Sequence, residues 1–413
     1  MTRSRDGSRG ALVFTILTRL SMTGSTALVA VVLAYSVGKD GIGLFGILRA
    51  LPALVLLVTE LGTSVASPYL INNQKVPAQQ VLSNALAWSL IIGLVDLAAW
   101  CALSPIIAKY LLRGVPLFWV CAAGMLVCLG AIESAMHNVL RSLRSFRAAN
   151  LMRGALEVSI LLAMTIAAAT HSLTNLGIVK IVIALDVLPV LFGTIRLMSL
   201  GLRPTPTIDR NILSRAIRFG IRSQVGIAMN LLNFRLDHLI LSSLTNLGTV
   251  GLYVVATKTA EFFRVLPAAF AYVLEPKFAA DSHSNATTTA KRLAWVAFGA
   301  NLSIMVVAFF VGPLIIPVFF DAWSEETIPV FRILVVGLAT LGAHGVFAAY
   351  NLGQNKPQLT TYAVTLGLLV TVILDITLVP RFQAVGAAIA SSITYTVTAA
   401  SLFFFFQRGT HAS

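Results

Sequence analysis

The run LAWVAFGANLSIMVVAFFVGPLIIPV, residues 293–318, holds 26 consecutive positions without one ionisable side chain. As a helix it rises about 39 Å, enough to cross the ~30 Å hydrocarbon core of a bilayer with some tilt. In water so long an apolar cylinder would need cover on every side, so the solvent of this segment is lipid. Of 413 residues 57% are hydrophobic and 11% charged, with mean hydropathy +0.86, whereas a soluble domain carries roughly a quarter charged residues. Comparable runs tile the rest of the sequence at 11–37, 44–66, 79–103, 116–135, 150–169, 178–200, 219–242, 250–275, 330–353, 359–379 and 384–406. Together they predict an all-α membrane protein of about twelve transmembrane helices. The first run is too long for a signal-peptide core and reads as an uncleaved helix.

The loops test that frame. With twelve helices, one side collects sixteen Lys and Arg, among them Arg141, Arg144, Arg147, Arg203, Arg210, Arg215 and Arg218; the other collects only Lys39, Lys109, Arg113 and Arg381. By the positive-inside rule both termini are expected in the cytoplasm. This bias accounts for much of the formal net charge of +14 without any call on nucleic acid as a partner. The loop 201–218, with Pro204, Pro206 and four arginines, divides the chain into six-helix halves, 1–200 and 219–413. Gly43-Leu44-Phe45 and Gly251-Leu252-Tyr253 stand at matching places, as do Pro68 and Pro276. The halves therefore read as parallel repeats, two six-helix bundles about a central cavity.

About ten basic residues fall inside the spans. At roughly 2.5–3.5 kcal/mol for each central, lipid-facing charge, ten would cost about 25–35 kcal/mol, so they cannot all face lipid. Arg49, Arg153, Lys180, Arg196, Arg222 and Arg332 lie near span ends and are expected to snorkel. Arg19, Lys258 and Arg264 lie deeper. Thr15, Arg19, Thr23 and Thr26 share one helical face, as do Asn230, Asn233 and Asp237, and Lys258, Glu261 and Arg264. These stripes point to a wet, net-positive chamber, with Asp237 and Glu261 as charge partners. Asp96 and Asp186 are the acids expected to bind a coupling ion.

Several patterns carry no chemistry. Gly41-Ile42-Gly43-Leu44-Phe45-Gly46 spells GxGxxG but joins two apolar runs with no preceding strand, so it reads as a turn. The sequon at Asn301 lies within a span. His137 and His238 read as interfacial. Cys101, Cys121 and Cys128 show no CxxC spacing, and neither a disulfide framework nor a metal site is expected from them. With no nucleotide loop and no nucleophile constellation, the expectation is a transporter: no enzyme, no catalytic residue, no metal and no cofactor.

Some local words resemble a known family. Arg141-Ser142-Leu143-Arg144-Ser145-Phe146-Arg147, the stretch 219–237 followed by Val250-Gly251-Leu252-Tyr253-Val254-Val255-Ala256, the closing Glu275-Pro276-Lys277-Phe278-Ala279 and Val385-Gly386-Ala387-Ala388-Ile389-Ala390 are similar to segments of the Wzx-type polysaccharide flippases. Those belong to the multidrug, oligosaccharidyl-lipid and polysaccharide exporter superfamily. The resemblance implies a bacterial inner-membrane protein moving an undecaprenyl-diphosphate-linked oligosaccharide by alternating access, alongside membrane lipids and a polysaccharide polymerase or export machinery as partners. On that reading Arg19, Lys258 and Arg264 hold the diphosphate, while Thr23, Asn230 and Asn233 bind sugar hydroxyls. A multidrug exporter of the same fold is the main rival, disfavoured because the deep stripes lean positive. A membrane-embedded polysaccharide polymerase is disfavoured by the short outer loops.

Overall fold

The computed structural model describes residues 6–263, 283–354 and 356–411, and among these no strand occurs. Helices α1 (Asp6–Ser36), α2 (Lys39–Thr59), α3 (Ala78–Tyr110), α4 (Leu117–Ser142), α5 (Phe146–Ala169) and α6 (Asn175–Ser199) come first. They are followed by α7 (Arg210–Leu244), α8 (Leu247–Phe263), α9 (His283–Phe320), and α10 (Ser324–Ala339, continued by His344–Gly353). The last helical run, Pro357–His411, turns at Gln383 and so forms α11 (357–382) and α12 (384–411).

Among the described residues seven stretches are long and apolar enough to cross a membrane. Two of them, 287–351 and 358–408, have 65 and 51 residues, or about 98 and 77 Å of helix, far beyond one bilayer crossing. They divide at Asp321–Trp323 and at Gln383 into two passes each. With the apolar part of α1 (Leu20–Ser36), α7 and α8, the frame has twelve helices.

Helix starts follow from local chemistry. Thr174 accepts from the Gly177 amide at 3.0 Å to open α6. Asp209 accepts from the amides of Asn211 and Ile212 at 2.8 and 3.3 Å to open α7, and Asn246 accepts from Thr249 at 2.9 Å to open α8. Each such cap satisfies an orphan amide and contributes about 0.5–2 kcal/mol. The GxGxxG stretch is no turn; it forms the first turns of α2, with its residues buried or nearly so.

The second predicted span, 44–66, stops early. Leu61 (φ 52°) and Gly62 (φ 68°) take the left-handed conformation, which ends α2 at Thr59; a 3₁₀ turn (Ser64–Ala66) and a π turn (Tyr69–Asn73) follow. An average hydropathy over the span hides this break, although Glu60, Gly62, Thr63 and Ser64 mark it residue by residue.

The chain falls into two compact units, Met1–Val225 and Gly226–Ser413, with the boundary inside α7. In the first unit α1 packs along α5, and α3 along α4. In the second, α10 packs against α8, α9 and the last helical run. The loop predicted as a linker is partly docked: Gln79 on α3 accepts the Arg203 amide at 2.8 Å and donates to its carbonyl at 2.6 Å, and the Thr207 amide donates to Ser83 at 3.2 Å. From Arg210 onward it is helix.

Cys101 and Cys121 are joined as a disulfide between α3 and α4, with Cα atoms 4.6 Å apart. That corrects the expectation of unpaired cysteines. Antiparallel helices bring together positions 20 residues apart, which no linear spacing rule anticipates.

Candidate functional site

In the first unit, Glu157 on α5 is buried and receives two partners, the Arg49 guanidinium of α2 and the Thr26 hydroxyl of α1 at 3.3 Å. Arg49 also acts electrostatically on Asp186, which sits at the break in α6. One turn of α5 away, Arg153 grips Glu133 of α4 through Nε and Nη2 at 2.8 and 3.2 Å. Beside them Ser134 donates to the buried Glu60 at 3.4 Å. Arg49 and Arg153 therefore do not snorkel as expected; each is held by an acid from a neighbouring helix. Lys180 and Arg332 lie over the rings of Trp119 and Phe309. An ion pair in hydrocarbon is tolerated because each charge supplies the solvation that lipid withholds.

The predicted residues of this unit divide. Thr23 is exposed on α1, whereas the Arg19 side chain lies outside the described residues. Asp96 is buried on α3 and accepts the Thr59 hydroxyl at 2.8 Å, tying the end of α2 to α3. Among the described interior charges of this unit, five carboxylates (Glu60, Asp96, Glu133, Glu157, Asp186) face two guanidiniums.

The second unit carries a denser constellation. Asp237 on α7 is buried, and its Oδ1 accepts the His238 amide at 2.8 Å and lies 2.7 Å from His238 Nδ1. Its Oδ2 accepts the Tyr253 hydroxyl of α8 at 2.5 Å and the Ser391 hydroxyl of α12 at 3.3 Å. Three helices thus meet on one carboxylate. Both His137 and His238 are buried, not interfacial.

Close enough for its charge to bear on Asp237 is Asp375 of α11, which is 0% exposed and whose two carboxylate oxygens have no hydrogen-bond partner among the described residues. Threonine hydroxyls populate the same facing helices: Thr371 and Thr394 bond each other at 2.7 Å, and the Thr398 hydroxyl is buried without a partner among the described residues. A desolvated carboxylate without donors requires a proton or a cation. Two carboxylates and several hydroxyls are all-oxygen donors, the set that suits a proton or a hard cation. No group of three His, Cys, Asp or Glu gathers among the described residues, so a transition-metal centre has no ligand set there.

Lys258 on α8 pairs with Glu261 at 2.8 Å. A cavity of about 10 Å³, room for one water, is lined by Asp237, His238, Thr257, Glu261, Leu334 and Tyr395 among others. It joins the ion pair to the Asp237 cluster. The side chains of Asn230 and Asn233, and all of Arg264, lie outside the described residues. Sequence reasoning named Asp237 and Glu261 but gave no role to Tyr253, Ser391 or Thr394. Ser391 and Thr394 share a face of α12 three residues apart, a signal available to a search for polar stripes.

The helical order is shared with a class of solved structures, transporters of the multidrug, oligosaccharidyl-lipid and polysaccharide exporter superfamily. A multidrug resistance MATE family transporter in an inward-facing conformation superposes with a TM-score of 0.78 at 15% identity, covering 96% of this chain and 98% of the other. The lipid II flippase MurJ, inward closed, gives 0.76 at 14% identity, covering 96% and 87%. A superfamily transporter from Pyrococcus furiosus, described as having a binding pocket of reverse polarity, gives 0.60 at 17% identity, covering 97% and 94%. At such identities the likeness is one of fold. Among curated proteins none matches the sequence. The family model for polysaccharide biosynthesis proteins matches residues 32–327, and the chain belongs to that family. In fold it is similar to solved transporters of this superfamily.

Proposed function

We propose that the chain moves an undecaprenyl-diphosphate-linked oligosaccharide across the bacterial inner membrane by alternating access, with both termini in the cytoplasm. The observation that carries this reading is the polysaccharide-biosynthesis match over 32–327 on a chain built as an exporter. A diphosphate and sugars cannot cross hydrocarbon unaided, while a polyprenyl tail stays in lipid as the head moves through a polar path. Arg19, Lys258 and Arg264 would hold the anion and Thr23, Asn230 and Asn233 the sugars, with Arg49 and Arg153 as further cations in reach of exchange from their acids. Asp375, with Asp237, would take the proton or cation whose gradient drives the cycle; Asp96 and Asp186 are the other carboxylates assigned to coupling.

The test is deletion followed by leaflet-resolved assay of lipid-linked oligosaccharide. The expected result is accumulation on the cytoplasmic leaflet with synthesis intact, restored by the wild-type chain but not by Asp375→Asn. Normal translocation with short polymers would point to a polymerase and end the reading. One observation favours a second reading: the acid-rich interior of the first unit suits a cationic drug. Altered drug tolerance with unchanged glycan export would establish that exporter instead.

A further inference from the structure

We infer that one face of the first unit is a binding surface for acidic phospholipid headgroups. Three stretches separate in sequence carry it: Lys75 after the π turn; Arg141, Arg144 and Arg147 between α4 and α5; and Arg203, Arg210, Arg215 and Arg218 at the start of α7. All eight are exposed, and Asp209 is the single acid within these stretches. None of the eight enters an ion pair among the described residues, and the Asp209 carboxylate is committed to capping α7.

Hydrogen bonds hold the three stretches together as one surface. Asn72 donates to the Ser142 carbonyl at 3.4 Å, Arg215 donates to Gln74 at 3.0 Å, and Gln79 pairs with the Arg203 backbone. Beneath them Tyr69 and Phe219 stack with ring centroids 4.2 Å apart. Lys75 and Arg144 both occupy left-handed turns, φ 57° and 58°, conformations that persist only where surrounding contacts fix them. Positive loops on the cytoplasmic side serve topology in any polytopic protein; a rigid array assembled from three loops goes beyond what topology requires.

Large exposed apolar side chains flank the cations and identify the partner. Phe146 stands between Arg144 and Arg147, Leu200 precedes Arg203, Ile208 precedes Arg210 and Ile221 follows Arg218, each 41–48% exposed. Cation beside apolar group is complementary to an amphiphile with an anionic head and hydrocarbon tail, not to a nucleic acid or an acidic peptide. The charges are spread over a surface and do not converge in a pocket, which fits several small phospholipid heads rather than one bulky diphosphate glycan.

The experiment is native mass spectrometry of the full chain ejected from nanodiscs of phosphatidylcholine containing a minority of phosphatidylglycerol. Wild type is expected to retain phosphatidylglycerol selectively. Substituting Arg141→Gln, Arg144→Gln, Arg215→Gln and Arg218→Gln together should lower retention by at least about tenfold, and the four Arg→Lys changes should preserve it. A Lys109→Gln/Arg113→Gln variant, on the opposite expected side, should match wild type. If the fourfold Gln variant fails to fold, salt titration of wild type replaces it, and retention should fall steeply with ionic strength. Equal retention in the Gln and wild-type chains, salt-independent retention, or selective retention of polyprenyl phosphate over phosphatidylglycerol would overturn the inference.

Discussion

Asp237 shows how an acid is accommodated within a membrane helix. Its carboxyl group gathers donors from its own helix, from α8 and from α12, so that the cost of desolvation is offset by hydrogen bonds. Tyr253, fully buried, has its hydroxyl committed to that carboxylate and to Ser391 at 3.0 Å. Tyr253→Phe keeps the ring and removes the donor. The expected cost is about 1–3 kcal/mol of stability, read as a lowered thermal midpoint of the purified protein, with unchanged stability counting against the network. Asp375 is the opposite case, an acid with nothing donating to it among the described residues. Its identity as an intramembrane acid was visible in the sequence; its lack of partners was not, because that depends on what the other helices present.

At the scale of elements, the broken end of α2 is the feature hydropathy hides. The backbone of Gly62 approaches that of Gly220 on α7 so closely that a Cβ on Gly62 would come within 2.5 Å of the Gly220 carbonyl oxygen, and Gly62 already has φ 68°. A side chain there meets both a steric and a conformational penalty. Gly62→Ala should therefore cost more than the ~1 kcal/mol typical of a point substitution. Membrane accumulation and thermal stability should both fall, and fall further than in Gly201→Ala, which at φ 79° with open space around its Cβ carries the conformational penalty alone. Equal behaviour of the two variants would show that the close approach has no energetic weight. Two helix starts, by contrast, were legible: Thr174 and Asn246 are residue types that favour caps, each standing just before an apolar run, whereas α7 begins at Arg210, ahead of the predicted span.

For the whole molecule the disulfide gives an independent handle on orientation. Cys101 and Cys121 flank the 111–116 connection between α3 and α4, and a disulfide persists on the oxidising side of a membrane. On the proposed topology, with both termini cytoplasmic, that connection faces outward, in accord with the charge bias of the loops. In intact cells a cysteine placed at Arg113 should react with an impermeant maleimide, and one placed at Arg144 only after permeabilisation, both in a Cys101→Ser/Cys121→Ser/Cys128→Ser background. In the otherwise native chain, Cys101 and Cys121 should alkylate only after reductant. The reverse labelling order would invert the topology.

Composition and hydropathy by themselves determined that the chain lives in lipid, that it has twelve helices and where most of these begin, because backbone satisfaction in hydrocarbon leaves the helix as the only open-chain solution. They also placed acids and bases within the spans. The tertiary structure decided which polar groups meet: Arg49 with Glu157 across 108 residues of sequence, Arg153 with Glu133, Asp237 with a tyrosine and a serine, and Asp375 with none among the described residues. Helical periodicity reports only which side chains share a face of one helix, whereas pairing depends on which faces of different helices meet, and packing alone fixes that.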